Sequence, residues 1–100
     1  MEATIVVLGT FNHGYEKLFP EYSRKVRAFL STKGAVVVRR QLIERTIYGE
    51  SPANLVMLID FGSAETAARC FLEAEYLELI PLRDQVFASF HMYLARVGEI

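Results

Sequence analysis

The sequence predicts an α+β fold, a ferredoxin-like βαββαβ chain with a four-stranded antiparallel sheet. Two short runs, residues 3–9 (Ala-Thr-Ile-Val-Val-Leu-Gly) and 55–61 (Leu-Val-Met-Leu-Ile-Asp-Phe), are apolar at consecutive positions over 5–8 and 55–59, as strands covered on both faces are. Two further runs, residues 35–48 and 89–97, mix apolar with charged residues, as edge strands do. The apolar spacing changes twice to the period of a helix, once after Phe19 and once after Ser63.

Taken in order, the first strand gives way to turn chemistry over residues 10–14, and residues 15–18 add a short helical turn before Pro20. Tyr22, Val26, Phe29 and Leu30 then fall at i, i+4, i+7 and i+8, with Glu21, Ser23, Arg24, Lys25 and Arg27 between them. This is an amphipathic helix with Pro20 in its first turn and Gly34 just past its end. Residues 35–48 read as one long second strand, residues 49–54 as a loop, and residues 55–61 as the third strand. Ser63 caps the second helix, Glu65 complements its dipole, and Ala64, Ala67, Ala68 and Phe71 form its buried stripe. Residues 75–80 continue as a short helical piece that stops before Pro81, and residues 89–97 close the chain as the fourth strand.

The 100 residues are expected to form one domain, 1–100. At 52% apolar and 23% charged, the chain is too apolar for disorder. Eleven basic residues against 12 acidic ones leave a net charge of −1, so no field of one sign is available to hold nucleic acid or an anionic membrane. No run approaches the roughly 20 apolar residues of a membrane span. Met1-Glu2-Ala3-Thr4 shows no secretory leader and Cys70 is a lone cysteine, so the expected address is the cytoplasm.

Two helices cover one face of a four-stranded sheet. The other face would leave about half a dozen large apolar side chains in water, on the order of 10 kcal/mol of unused burial at roughly 1.5–3 kcal/mol each. A second copy packed sheet to sheet by two-fold symmetry is the simplest remedy, and a homodimer is the expectation.

Several stretches resemble a known family. Pro20-Glu21-Tyr22 leading through Val26 to Gly34, then Val36-Val37-Val38-Arg39, is similar to the start of the family called domain of unknown function 1330. Asp60-Phe61-Gly62-Ser63-Ala64-Glu65-Thr66-Ala67 is similar to a later part of it, and Glu75-Tyr76-Leu77-Glu78-Leu79-Ile80-Pro81-Leu82-Arg83 resembles its signature after the second helix. The resemblance covers residues 15–97 and implies a dimeric α+β barrel, two ferredoxin-like protomers joined through their sheets. The chain departs from the family at Arg39-Arg40-Gln41, where an Arg-Gly-Gly run is usual, which leaves the register of Arg39 open by one residue. Superfamily relatives include cofactor-free monooxygenases, haem-degrading enzymes and small isomerases with ligands between helices and sheet. The resemblance therefore implies a place for a site, not a reaction.

Few residues offer chemistry. Residues 9–14 have the glycine spacing of a phosphate loop, but Tyr15 and Glu16 stand where Lys and Ser or Thr are required. His91, mid-strand, and His13, in the first loop, are the candidate catalytic bases. Arg39 and Arg40 point to opposite faces of a strand, so one must enter an interior. There it would be paired with Asp60 or Glu44 or would anchor a ligand carboxylate. Tyr76 and Arg83, seven residues apart, share a face if the helix persists, where packing is the expected role and ligand binding the alternative. Cys70 reads as core filler. Two distant histidines and one cysteine give no metal-ligand spacing, and neither a metal nor another cofactor is expected.

The resulting expectation is a cytoplasmic homodimer that binds a small molecule in a cleft between helices and sheet, using some of Arg39, Arg40, Tyr76, Arg83 and Asp60. One alternative is a cofactor-independent enzyme, monooxygenase- or isomerase-like, acting on a small carbonyl or aromatic compound, with His91 or His13 as base. It requires a His and an Arg converging on one cavity. Another is a dimerisation module with a filled core.

Overall fold

A computed structural model of the protein describes residues 2–50 and 53–98. Its strands are β1 (Ala3–Phe11), β2 (Val36–Leu42), β3 (Leu55–Phe61) and β4 (Phe87–Ala95). Its helices are α1 (Phe19–Ser31), α2 (Ala64–Cys70), α3 (Ala74–Leu77) and α4 (Ile80–Val86), with a single 3₁₀ turn at Tyr15–Lys17. The strands pair in the order β2-β3-β1-β4, all antiparallel. The two runs apolar on both faces are thus central and the two charged runs are edges, as the ferredoxin-like reading requires.

Alternation along the strands sorts the sheet into two faces. Ala3, Ile5 and Val7 of β1 and Leu55, Ile59 and Phe61 of β3 are buried beneath the helices. Val6, Leu8, Val56 and Leu58 alternate with them and point the other way, only partly covered. The helices supply the matching surface: Tyr22, Val26, Phe29 and Leu30 from α1, Ala67 and Cys70 from α2, Tyr76 from α3 and Val86 from α4. In α2, Cys70 takes the core position and Ala68 faces solvent, a correction to the expected alanine stripe.

The helix ends are tied as the sequence suggests. Ser63 Oγ accepts from Thr66 N at 3.1 Å. Gly34 at φ 67° turns the chain out of α1 while Ala35 N donates to Leu30 O at 3.2 Å, a left-handed stop that glycine supplies without strain. Lys33 bonds Glu73, which holds the end of α1 to the segment after α2 and raises the Lys33 pKa through that hydrogen bond. Asn12 joins the other end: its Nδ2 donates to Asp84 O and Gln85 O, both at 3.1 Å, and its N to Val86 O at 2.8 Å. These bonds satisfy carbonyls that the end of α4 would otherwise leave open.

Two elements differ from the sequence reading. The second strand stops at Leu42 rather than at residue 48. Leu42 pairs with Leu55, the first residue of β3, so the strand pairing ends there, with Ile43 N still donating to Asn54 O at 2.7 Å. Ser51 and Pro52, part of the expected 49–54 loop, lie outside the described residues. Pro81 does not end a helical piece but stands in the first turn of α4, where its missing N–H costs nothing.

Gly9 marks a close approach. A Cβ there would lie 2.7 Å from the Phe87 ring, so the ring lies almost against the β1 backbone. Phe87 also meets Phe11, Phe19, Tyr22 and Phe90 at centroid distances of 4.9–6.2 Å, an aromatic cluster that closes one end of the core.

Candidate functional site

A narrow cleft opens between α1 and the sheet. Tyr22, Val26 and Leu30 form its helical wall, and Val7, Val37, Leu55, Met57, Phe87 and Phe90 form the floor and far side. Its interior is almost wholly apolar, with a free volume of about 20 Å³, room for roughly one water. Outside its mouth lies a basin of about 440 Å³ between Phe19, Pro20, Ser23, Arg24, Arg27 and Arg40.

Arg40 lines both because of a bulge. Val37 pairs with Ile59 and Arg39 with Leu58, so Val38 is an extra residue on β2. Without it, strict alternation from Val37 would aim Arg39 at the helices; with it, Arg40 turns inward and Arg39 outward. The Arg40 guanidinium lies 4.6 Å from the centroid of the Phe19 ring, and its Nη1 donates to Ser23 Oγ at 3.0 Å. Partial burial lowers its pKa, and the neighbouring Arg27 charge adds to that. Among the described residues, the ion pairs are Lys25–Glu21, Lys33–Glu73, Arg69–Glu65 and Arg83–Asp84. Arg24, Arg27 and Arg40 take part in none of them.

Tyr22 lines the cleft, and its hydroxyl lies 3.2 Å from the Tyr76 hydroxyl. Burial, with Tyr76 beside it, pushes the Tyr22 pKa far above the usual phenol range, so the group stays protonated. Arg83 Nη1 donates to Tyr76 Oη at 3.4 Å, and its guanidinium lies 5.1 Å from the centroid of the Phe90 ring. Tyr76 is 1% exposed and stands behind Tyr22 rather than in the cleft. The expected Tyr76–Arg83 proximity is present, but it bridges two helices, α3 and α4, instead of running along one.

The remaining candidates are dispersed. His91 is exposed on β4 and pairs with Leu8, which puts it on the sheet face away from the helices, near Tyr93. Arg39 and Asp60 share that open face, where Asp60 Oδ1 accepts from Thr4 Oγ1 at 2.6 Å. His13 is exposed in a separate recess with Asn12, Glu16, Leu42 and Asn54. The expectation of a His and an Arg on one cavity is corrected: the sheet separates His91 from Arg40, and His13 lines a different recess. The pairing of an inward arginine with Asp60 or Glu44 is corrected too. Asp60 lies on the other face, and Glu44 is exposed beyond the end of β2.

Sequence reasoning missed Ser23, Arg24 and Arg27. A usable signal was present: Arg24 and Arg27 are one helical turn apart, and Arg27 has no acidic residue three or four positions away on α1, where ion-pair partners of surface arginines often stand. Cys70 is buried in the core, where burial pushes its thiol up to about 11. Among the described residues, no group of three or more His, Cys, Asp or Glu is placed to hold a metal ion, and no helix is long and apolar enough to cross a membrane.

An antiparallel sheet in the order β2-β3-β1-β4, with helices on one face and a cleft under the first of them, defines a ferredoxin-like α+β protein. Solved structures share this fold at low identity. A protein of unknown function from Rhodopseudomonas palustris superposes with a TM-score of 0.78 at 12% identity, covering 99% of this chain and 84% of that one. SnoaB, a cofactor-independent oxygenase from Streptomyces nogalater, gives 0.70 at 16% identity over 99% of this chain and 95% of that one. A dimeric protein of unknown function and ferredoxin-like fold from Bacteroides fragilis gives 0.65 at 10% identity over 96% of each chain. No curated protein matches the sequence. The chain belongs to the family described as a domain of unknown function (DUF1330), which matches residues 7–96.

Proposed function

We propose that the protein is a cytoplasmic homodimer, paired through the open sheet face, that binds a small molecule at the mouth of the cleft under α1. The observation that carries the reading is the arginine-lined basin of about 440 Å³ outside the apolar interior, as small-molecule sites commonly combine apolar walls with a few placed polar groups. The pairing rests on the open face. Val6, Leu8, Val56 and Leu58 lie there side by side, half covered, and the Bacteroides fragilis protein of the same fold is dimeric. The likeness to an oxygenase is a likeness of fold. The groups nearest the cleft, the Tyr22 hydroxyl held protonated by burial and the Arg40 guanidinium, serve binding and orientation rather than proton abstraction at neutral pH.

A native mass spectrum of the protein purified from cells tests both parts. Twice the 11.4 kDa chain mass plus a small retained component is the expected result. A bare monomer at micromolar concentration overturns the pairing. A bare dimer whose Tyr22 and Val26 amide signals do not move on addition of any small apolar compound overturns the cleft reading.

A further inference from the structure

Resting on that reading, we propose that the ligand is a small organic anion, with its apolar body lying in the basin against Phe19 and Pro20 at the cleft mouth and its carboxylate held among Arg24, Arg27 and Arg40. These three side chains line one basin of about 440 Å³, the size of an ordinary small-molecule site. None is paired with a carboxylate among the described residues, although the chain carries 12 acidic residues. Like charges gathered at the mouth of an apolar cavity repel one another and focus a positive field there, and a bound anion relieves that repulsion. Guanidinium groups also bind a carboxylate through two parallel hydrogen bonds.

Arg40 rests on Phe19 and Ser23, and a carboxylate in the basin competes for its N–H groups. The Val38 bulge is what aims Arg40 here and not at the opposite face. An inorganic anion would leave the apolar floor unused, and an uncharged compound would leave the cations unpaired. An anion carrying a hydrocarbon or aryl body uses both.

The test compares octanoate, octanol and octylammonium, three probes with one tail and different heads, titrated into the isotope-labelled dimer and followed by amide chemical shifts. Octanoate is expected to bind at least about tenfold more tightly than octanol, the gain of a charge-assisted hydrogen bond, and octylammonium more weakly than either. Raising salt from about 0.05 M to about 0.5 M weakens octanoate binding and leaves octanol binding unchanged. Arg27→Gln and Arg40→Gln each weaken octanoate by about tenfold and spare octanol. Because Arg40→Gln also removes the contacts with Phe19 and Ser23, Arg27→Gln is the cleaner of the two. Octanol binding as tightly as octanoate overturns the anion proposal and leaves the cleft standing. Failure of all three probes at millimolar concentration overturns both.

Discussion

The two faces of the sheet are built from neighbouring residues of the same strands, yet one face is finished and the other is not. Beneath the helices Ile5, Val7 and Ile59 are 4%, 1% and 1% exposed. One residue along, on the opposite face, Val6, Leu8, Val56 and Leu58 are only partly covered. The centre of that face repeats the apolar chemistry of the core, within a rim that carries Arg39, Asp60 and His91. The difference teaches that the fold of one chain satisfies half of what its central strands encode, and the proposed pairing with a second sheet would supply the rest.

The largest expected effect comes from breaking the open face. Val6→Asp would bury an unpaired carboxylate twice across a two-fold interface, at roughly 3–5 kcal/mol per copy. Sedimentation should show monomers that remain folded, with the circular dichroism of the parent. A dimer unchanged by this substitution removes the open face from the interface. Next is the covered face: Ile59→Ala should cost about 2–5 kcal/mol in urea unfolding without changing the oligomeric state of the folded fraction.

How much of this was legible in the sequence follows from the same contrast. The central strands, α1 with its Gly34 stop, and the Ser63 cap were readable because each carries a local signal. The facing of the sheet was not, because residues 5–8 and 55–59 are apolar in both parities. The end of β2 was not either: Ile43, Ile47 and Tyr48 are good strand formers, but a strand needs a partner, and β3 begins opposite Leu42. The site suffered most. The Val38 bulge, which no residue type announces, decides that Arg40 rather than Arg39 meets the cleft. The two histidines, prominent by type, fall on other surfaces because their placement depends on register and loop path.

Smaller effects sharpen the comparison within the covered face. Gly9→Ala drives a methyl into the Phe87 ring and should cost about 1–3 kcal/mol, read as a lower unfolding midpoint with unchanged denaturant slope. Tyr22→Phe removes one half of the buried hydroxyl pair. Tyr76 keeps its bond from Arg83, so the expected loss is only about 1 kcal/mol, against a larger loss for Tyr76→Phe, which strips both neighbours.

The smallest effect is a pH dependence. Burial raises the Cys70 thiol from 9.0 to about 11. The folded state therefore holds this proton more tightly than the unfolded one. Stability from this source is complete below 9.0 and is lost as pH rises through about 11. Cys70→Ala should flatten the alkaline decline in the urea midpoint; the residual slope comes from groups such as Tyr22 and Lys33, whose raised pKa values act in the same direction. An alkaline decline of the same steepness in Cys70→Ala would falsify the assignment.

The pairing of open faces is tested most directly by an isotope-filtered NOE experiment on a mixture of labelled and unlabelled chains. Methyl groups of Val6, Leu8, Val56 and Leu58 in the labelled copy should show cross-peaks to protons of the unlabelled one, while those of Val7 and Ile59 show none. Cross-peaks confined to other surfaces, or a chain that stays at its single mass of 11.4 kDa, would contradict the account.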